Sequence, residues 1–527
     1  VSPLISTTIR REFFRLKSHF VRQFSSPALM SENMPYDRVT EGSATILLPS
    51  GNQDVFYNKV QVVNRDLSIA AISAYNDLRR EEHLSSSKTC SKPYPGLTIL
   101  EALSATGLRS MRYLHEIDDV SKIIVNDIDP AAVETIKRNI AANPHLVQPE
   151  RLVPNCADAN ICMGHHTANE GRVDVVDLDP YGSANTFISS ALKAVRPGGM
   201  LCITCTDLAV LAGSRPSACF AKYSSMPHRA KYCHEMALRI VLAFTCQEAA
   251  KLGLVIEPLA SSHIDFYVRL FVRVRKSQSG ATASVKNLAY VWQCSQCVHH
   301  VLIPVMHPTG KGDNLTSATA LRSGQCPDCH SPMKMGGPWW SAPIHDPAFL
   351  ARLSQRIDRP ENPFASQARL RALLTGLMEE LVDVPLFHCL SSMCHTLHCV
   401  MPRAIVVRSA LINGGFRVSQ SHTSPTSLKT DAPSNIIWDI LRHWVKQNPV
   451  KQNLSETSPS SIILSKEPQS TPDFTIVDAL RNKTKQPKFL PNPEDNWGPG
   501  SRAKTRHASL VDIPQEPDEK KARLDLH

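Results

Sequence analysis

Between residues 36 and 276, short apolar runs alternate with stretches in which apolar positions recur every three or four residues. That alternation predicts strands linked by helices, the pattern of a largely parallel α/β sheet. Strands are predicted at 98–103, 122–127, 153–156, 173–178, 200–204 and 266–274, with helical patterns near 107–116, 130–142, 184–195 and 229–251. Residues 277–345 lose this periodicity and carry their own cysteine pairs, and 346–446 return to a mixed helical and apolar pattern. A second, smaller α+β domain is therefore expected over 277–446. From 447 to 527 the composition shifts to Ser, Pro, Lys, Gln and Asn with few aromatics, which predicts a disordered tail.

The candidate chemistry lies where the strands end, the place at which open α/β sheets bind ligands. The first predicted strand ends in Glu101 and turns through Gly107 and Arg109 into a helix start, so helix N–H groups and a guanidinium face a bound anion. One glycine stands where a dinucleotide cradle needs three, and a carboxylate suits the turn better than a pyrophosphate. The second strand ends in Asp127, placed to accept both hydroxyls of a ribose, and the third leads to Asp158, an acid for the exocyclic amine of adenine. Helix capping is the ordinary explanation for any one such acid. Glu101, Asp127, Asp158 and Asp179 in succession describe a site for an adenosine that bears a carboxylate, and the ligand that fits is S-adenosylmethionine. The fourth strand delivers Asp179-Pro180-Tyr181-Gly182, which suits a planar amino group on a nucleobase: the Asp179 carboxylate and the Pro180 carbonyl accept its two N–H bonds, and Tyr181 stacks on the ring. Upstream, Glu41-Gly-Ser-Ala-Thr45 and Val55 to Asp66 fit a β-hairpin packed on the domain on residue type alone.

A second constellation is Cys294-Ser-Gln-Cys297 with Cys326-Pro-Asp-Cys329, two C-x-x-C pairs that supply four thiolates for a structural zinc ribbon. His330 is an alternative ligand, and the haem-attachment string that it completes is disfavoured by the upstream pair. Trp339-Trp340 fits core packing, with an RNA stacking platform as the alternative; Arg352, Arg356, Arg359, Arg369 and Arg371 fit a solvated helix face or a phosphate-contacting surface equally well.

Glu41-Gly42, Phe56-Tyr-Asn58, Asn64-Arg-Asp-Leu-Ser68, Glu101 to Ser110, Asn126-Asp127 and Asp177-Leu-Asp-Pro-Tyr-Gly182 together resemble the tRNA guanine-26 N2-dimethyltransferases, over about residues 36–446. The resemblance implies a Rossmann-like class I S-adenosylmethionine-dependent methyltransferase domain over 36–276 and a tRNA-binding domain with the zinc site over 277–446. It further implies that Arg65 and Arg109 contact the methionine carboxylate, Asp127 the ribose, and Asp158 with the Ala159 backbone the adenine, while Asp179 is the catalytic acid. An amino-methyltransferase acting on another RNA, or a non-catalytic RNA-binding protein that keeps the fold, are the alternatives.

Composition adds less. A formal charge of +10 favours a polyanionic partner, and 15 cysteines without an apolar secretory signal argue against a disulfide framework. The arm over 1–32 interleaves Arg10, Arg11, Arg15, Lys17 and Arg22 with phenylalanines, against the single acid Glu12 in its first thirty residues, the composition of a mitochondrial transit peptide. Basic clusters at 501–506 and 520–523 suit nuclear import or simple solvation, so mitochondrial and nuclear or cytoplasmic locations are both expected.

Overall fold

The computed structural model describes residues 36–50, 57–86, 93–308, 315–317, 324–361, 363–450, 455–481, 487–495 and 497–498. The expected transit arm and the basic tail clusters lie outside them. Two compact units are present, and the sheet and all sites below belong to the one built from Thr40–Ile46 and Phe56–Lys504. In the other, the Ser50 hydroxyl donates to Asp37 at 3.1 Å.

Seven strands form the central sheet: β1 (Leu97–Glu101), β2 (Val120–Asp127), β3 (Leu152–Cys156), β4 (Val173–Leu178), β5 (Val195–Cys205), β6 (Leu254–Ile264) and β7 (Tyr267–Lys276), in the spatial order β3-β2-β1-β4-β5-β7-β6. The first five run parallel, and β7 is antiparallel to both β5 and β6. All six residues of β4 are buried, as a strand covered by helices on both faces requires. Helices follow β1, β2 and β4 at Leu108–Glu116, Pro130–Ala141 and Asn185–Ala194, and Cys233–Lys251 precedes the β6–β7 hairpin.

Of the expected hairpin, Glu41 to Thr45 does turn between two paired strands, Tyr36–Glu41 and Ala44–Pro49, whereas residues 55–66 supply no strand. Asn58 caps a short 3-10 turn at Lys59–Gln61, and α1 (Val62–Ser86) begins directly after it. The valines at 60, 62 and 63 suit a strand, but strand preference is weak against context. Asn64, Arg65, Asp66 and Ser68 are all buried, and the helix brings them to partners that a hairpin would not reach.

After residue 277, strands Leu288–Cys294, His300–Pro304 and Met333–Trp340 form a small antiparallel sheet. It packs on the Cys233–Lys251 helix, from which buried Arg239 donates to the Trp340 carbonyl at 2.9 Å. Trp339 and Trp340 are 1% and 3% exposed, which makes them core and not a stacking platform. The tail is not wholly disordered: Ser458 caps a helix over Pro459–Ser465 that buries Ile463 completely. The average composition conceals the local run Ile462-Ile463-Leu464, which has an apolar surface to bury against.

Candidate active site

The strand order places Asp158, Asp127, Glu101 and Asp179 in one row along the carboxyl ends of β3, β2, β1 and β4. The sheet changes direction between β1 and β4, the switch point at which such folds open a crevice. Gly107, with φ +74°, lets the chain leave that crevice and start the helix Leu108–Glu116; a side chain there would be strained and would crowd Ile136 at 3.2 Å.

Asp127 is half-buried, and its two oxygens accept from the backbone N–H groups of Ala105 (2.8 Å) and Asp129 (3.0 Å), which fixes the carboxylate against the β1 turn. Asp158 caps the helix Ala159–Gly164 through one oxygen, so the capping role is real for that atom. Beside these acids Ile128 and Ile161 are 66% and 59% exposed. An apolar ring edge between two fixed carboxylates suits a nucleoside, and the residues present fit S-adenosylmethionine in this respect.

Arg109 is the hub of the buried side. Its guanidinium reaches Ser68 at 3.0 Å, Asp177 at 3.5 Å and Glu101 at 3.6 Å, and it pairs with Asp179. Asp177 also accepts from Arg269 at 2.8 Å and from the Tyr113 hydroxyl at 2.6 Å. Burial pushes the Asp177 carboxyl up, but Arg269 and Arg109 together hold it below the usual carboxylate range. For Glu101 burial wins, and its carboxyl rises to about 8 despite Arg109 and Ser110. Arg65 belongs to a neighbouring network: it donates to Glu41 at 2.6 Å and to the Asn58 carbonyl at 3.1 Å, while Arg112 bridges Glu41 and Asp66. Arg65 and Arg109 therefore share no direct contact, although Arg65 lies one turn of α1 from Ser68, which Arg109 touches.

The loop after β4 is latched at its far end. Gly182 N–H donates to the Thr206 hydroxyl at 2.7 Å, and Thr206 N–H returns a bond to the Gly182 carbonyl at 2.8 Å. Pro180 is buried, the Asp179 side chain is 22% exposed, and Tyr181 is 75% exposed. Asp177, Arg269 and Thr206 were not singled out from sequence. Asp177 and Arg269 are charged residues inside otherwise apolar strand runs, and such a charge is buried only with a partner; that signal was present.

All four cysteines at 294, 297, 326 and 329 are buried and lie with their sulfurs within 4.8 Å of one another. Two sulfur pairs stand at 3.4 Å, beyond any disulfide bond and close to the edge of a tetrahedral zinc–thiolate site. The Gln296 and Cys297 N–H groups donate to the Cys294 sulfur at 3.4 Å each, and Val298 and His330, each next after a pair, take left-handed φ values of +59° and +61°. These residues fit a closed structural zinc. A helix over Ser434–Gln447 braces the second knuckle: Trp438 donates to Asp328 at 2.8 Å.

Of the five arginines in the basic set, four pair with carboxylates: Arg352 with Glu81 (2.7 Å), Arg359 with Asp77 (3.1 Å), Arg369 with Asp265 (3.0 Å) and Arg371 with Asp358 (2.5 Å). Arg356 is buried and donates to the Glu116 carbonyl at 3.2 Å. Arg352 and Arg359 make their pairs with carboxylates of α1, and the pairs of Arg352, Arg359 and Arg371 lie at the surface.

A mixed sheet in this order, with acids on four adjacent strand ends, defines a class I S-adenosylmethionine-dependent methyltransferase. The family profile described as N2,N2-dimethylguanosine tRNA methyltransferase matches residues 37–442, and the chain belongs to that family. It is 38% identical to tRNA (guanine(26)-N(2))-dimethyltransferase 2 of Arabidopsis thaliana, over 90% of this chain and 91% of the relative. It is 38% identical to the Homo sapiens tRNA (guanine(26)-N(2))-dimethyltransferase, over 88% and 77%. The mitochondrial enzyme of Saccharomyces cerevisiae is 32% identical, over 93% and 96%. Among solved structures, Trm1 from Pyrococcus horikoshii in complex with S-adenosyl-L-methionine superposes with a TM-score of 0.64 at 27% identity, covering 77% of this chain and 99% of that one.

Proposed function

We propose that this chain transfers methyl groups from S-adenosylmethionine to N2 of guanosine 26 in tRNA, giving the monomethyl and then the dimethyl base. The observation that carries the reading is the latched Asp179-Pro180-Tyr181-Gly182 loop at the sheet's switch point, in line with three further acids, in a chain of this family.

When bound, S-adenosylmethionine supplies an electrophilic methyl on a sulfonium. Asp127 would hold its ribose, Asp158 and the Ala159 N–H its adenine, and Arg109 with Arg65 its methionine carboxylate. The guanine amine is a poor nucleophile because its lone pair is delocalised into the ring. Asp179 bonded to that N–H raises electron density at N2 and takes the proton, while Arg109 orients the carboxylate. The buried Pro180 carbonyl accepts the other N–H, and exposed Tyr181 offers its face to the base. A base inside folded tRNA must be extruded to reach this loop. After one transfer N2 keeps a hydrogen, and once Asp179 has passed its proton to solvent its carboxylate serves the second.

Residues 277–446, held by zinc, form the second wall against tRNA. One relative is named a mitochondrial enzyme, and residues 1–32 direct this chain there as well; a fusion of those residues to a fluorescent protein should reach mitochondria, and a diffuse signal would contradict it. No helix among the described residues is long and apolar enough to cross a membrane.

Radiolabelled methyl transfer to a tRNA transcript with guanosine at position 26, beside the same transcript with adenosine there, tests the function. Label in the first alone is expected; equal label in both would overturn the position.

A further inference from the structure

A cavity of about 380 Å³ opens between Ala212, Arg229–Tyr232 and the residues from Gln293 onward, and nothing above uses it. Its walls come from both halves of the chain: Ala212, Arg229, Lys231 and Tyr232 from the methyltransferase part, and Val298 and His388 from the part beyond it. Val298 follows the first zinc knuckle directly, so the metal site sets this wall.

Two features give the cavity its chemistry. No acid lines it, and exposed Arg229 and Lys231 form no ion pair among the described residues, unlike the arginines of 352–371. Its inner surface is aromatic: Tyr232 and Phe387 meet edge to face with ring centres 6.4 Å apart, and His388 stacks on His300 at 4.8 Å. Two exposed cations beside the half-buried His388 ring match a nucleotide, with phosphate outside and base or sugar against the ring. The volume lies in the range of small-ligand sites.

Location supplies the rest. Thr206 latches the Asp179 loop, and the helix Leu208–Leu211 leads from it to Ala212 in the cavity wall. At 1.5 Å per helical residue that path is on the order of 10 Å, a short reach along an RNA strand.

We propose that this cavity seats a nucleotide of the tRNA next to the extruded guanosine, with its phosphate held by Arg229 and Lys231. The inference rests on the tRNA-methylating function above.

The test measures tRNA binding between 50 and 200 mM salt for the full chain, with S-adenosylmethionine affinity as the check on folding. Arg229→Ala/Lys231→Ala should weaken tRNA binding about tenfold and flatten the log–log salt slope by roughly 1. Ser392→Trp, which fills the cavity but keeps both charges, should weaken binding with the slope unchanged. Lys193→Ala, on an exposed site elsewhere, should do neither. Wild-type affinity and slope in the double variant would overturn the proposal, and so would a Ser392→Trp protein that binds normally. A wild-type protein that neither binds nor methylates tRNA would instead defeat the function on which the inference rests.

Discussion

Arg109 touches or approaches Glu101, Asp177 and Asp179, so one side chain ties the crevice to the buried charges behind it. Asp177 is the counterweight, lying between Arg109, Arg269 and the Tyr113 hydroxyl with 1% exposure. Removing one partner from such a buried set leaves uncompensated charge, so Asp177→Ala should cost about 3–5 kcal/mol in urea unfolding; a loss under about 1 kcal/mol would contradict this role. Glu101 behaves oppositely. Its folded value, about 8, stands above the ordinary 4.5, so its contribution is full below that ordinary value and is lost as pH rises through about 8. Glu101→Gln, which cannot ionise, should therefore gain stability relative to wild type as pH rises from about 5 to 8; a difference between the two that stays constant across this window would contradict the shift. The strand-end acids were legible because they interrupt apolar runs at turn residues. The partners that set their charge state were not, because Ser68, Asp177 and Arg269 come from three distant elements and only the fold brings them together.

At the scale of elements, the clearest strand that the sequence announced is β4, buried on both faces, where an apolar run has one meaning. β6 was missed because Glu257, Ser261, Ser262 and His263 break its run, and its pairing with β7 is a backbone property that side-chain polarity does not show. α1 was open to a strand reading because its start is valine-rich and its polar residues are buried instead of exposed, which defeats an amphipathic pattern. The zinc knuckles were fully legible, since thiolate spacing is a local property. One equivalent of zinc per chain is expected by metal analysis, and Cys326→Ser should lower both zinc content and unfolding temperature. A Cys326→Ser protein that melts as wild type would contradict a structural role.

Across the whole molecule, the formal charge of +10 is a sum that says nothing of where its cations stand. Much arginine is consumed in ion pairs that fasten 347–378 to α1 and to the sheet, which leaves particular open cations to meet RNA. Composition gave the sign of the partner's charge but could not show which cations are free, because pairing is decided by the fold. The central claim is that Asp179 takes part in methyl transfer to guanosine N2, and nucleoside mass spectrometry of unmodified tRNA with guanosine 26 tests it most directly, using S-adenosylmethionine with wild-type or Asp179→Ala protein. N2,N2-dimethylguanosine is expected with wild type, and a rate lower by on the order of 10²–10⁴ with the variant, at similar cofactor affinity. Dimethylguanosine formed at wild-type rate by Asp179→Ala, or no methylated guanosine from a wild-type protein that binds the cofactor, would contradict it.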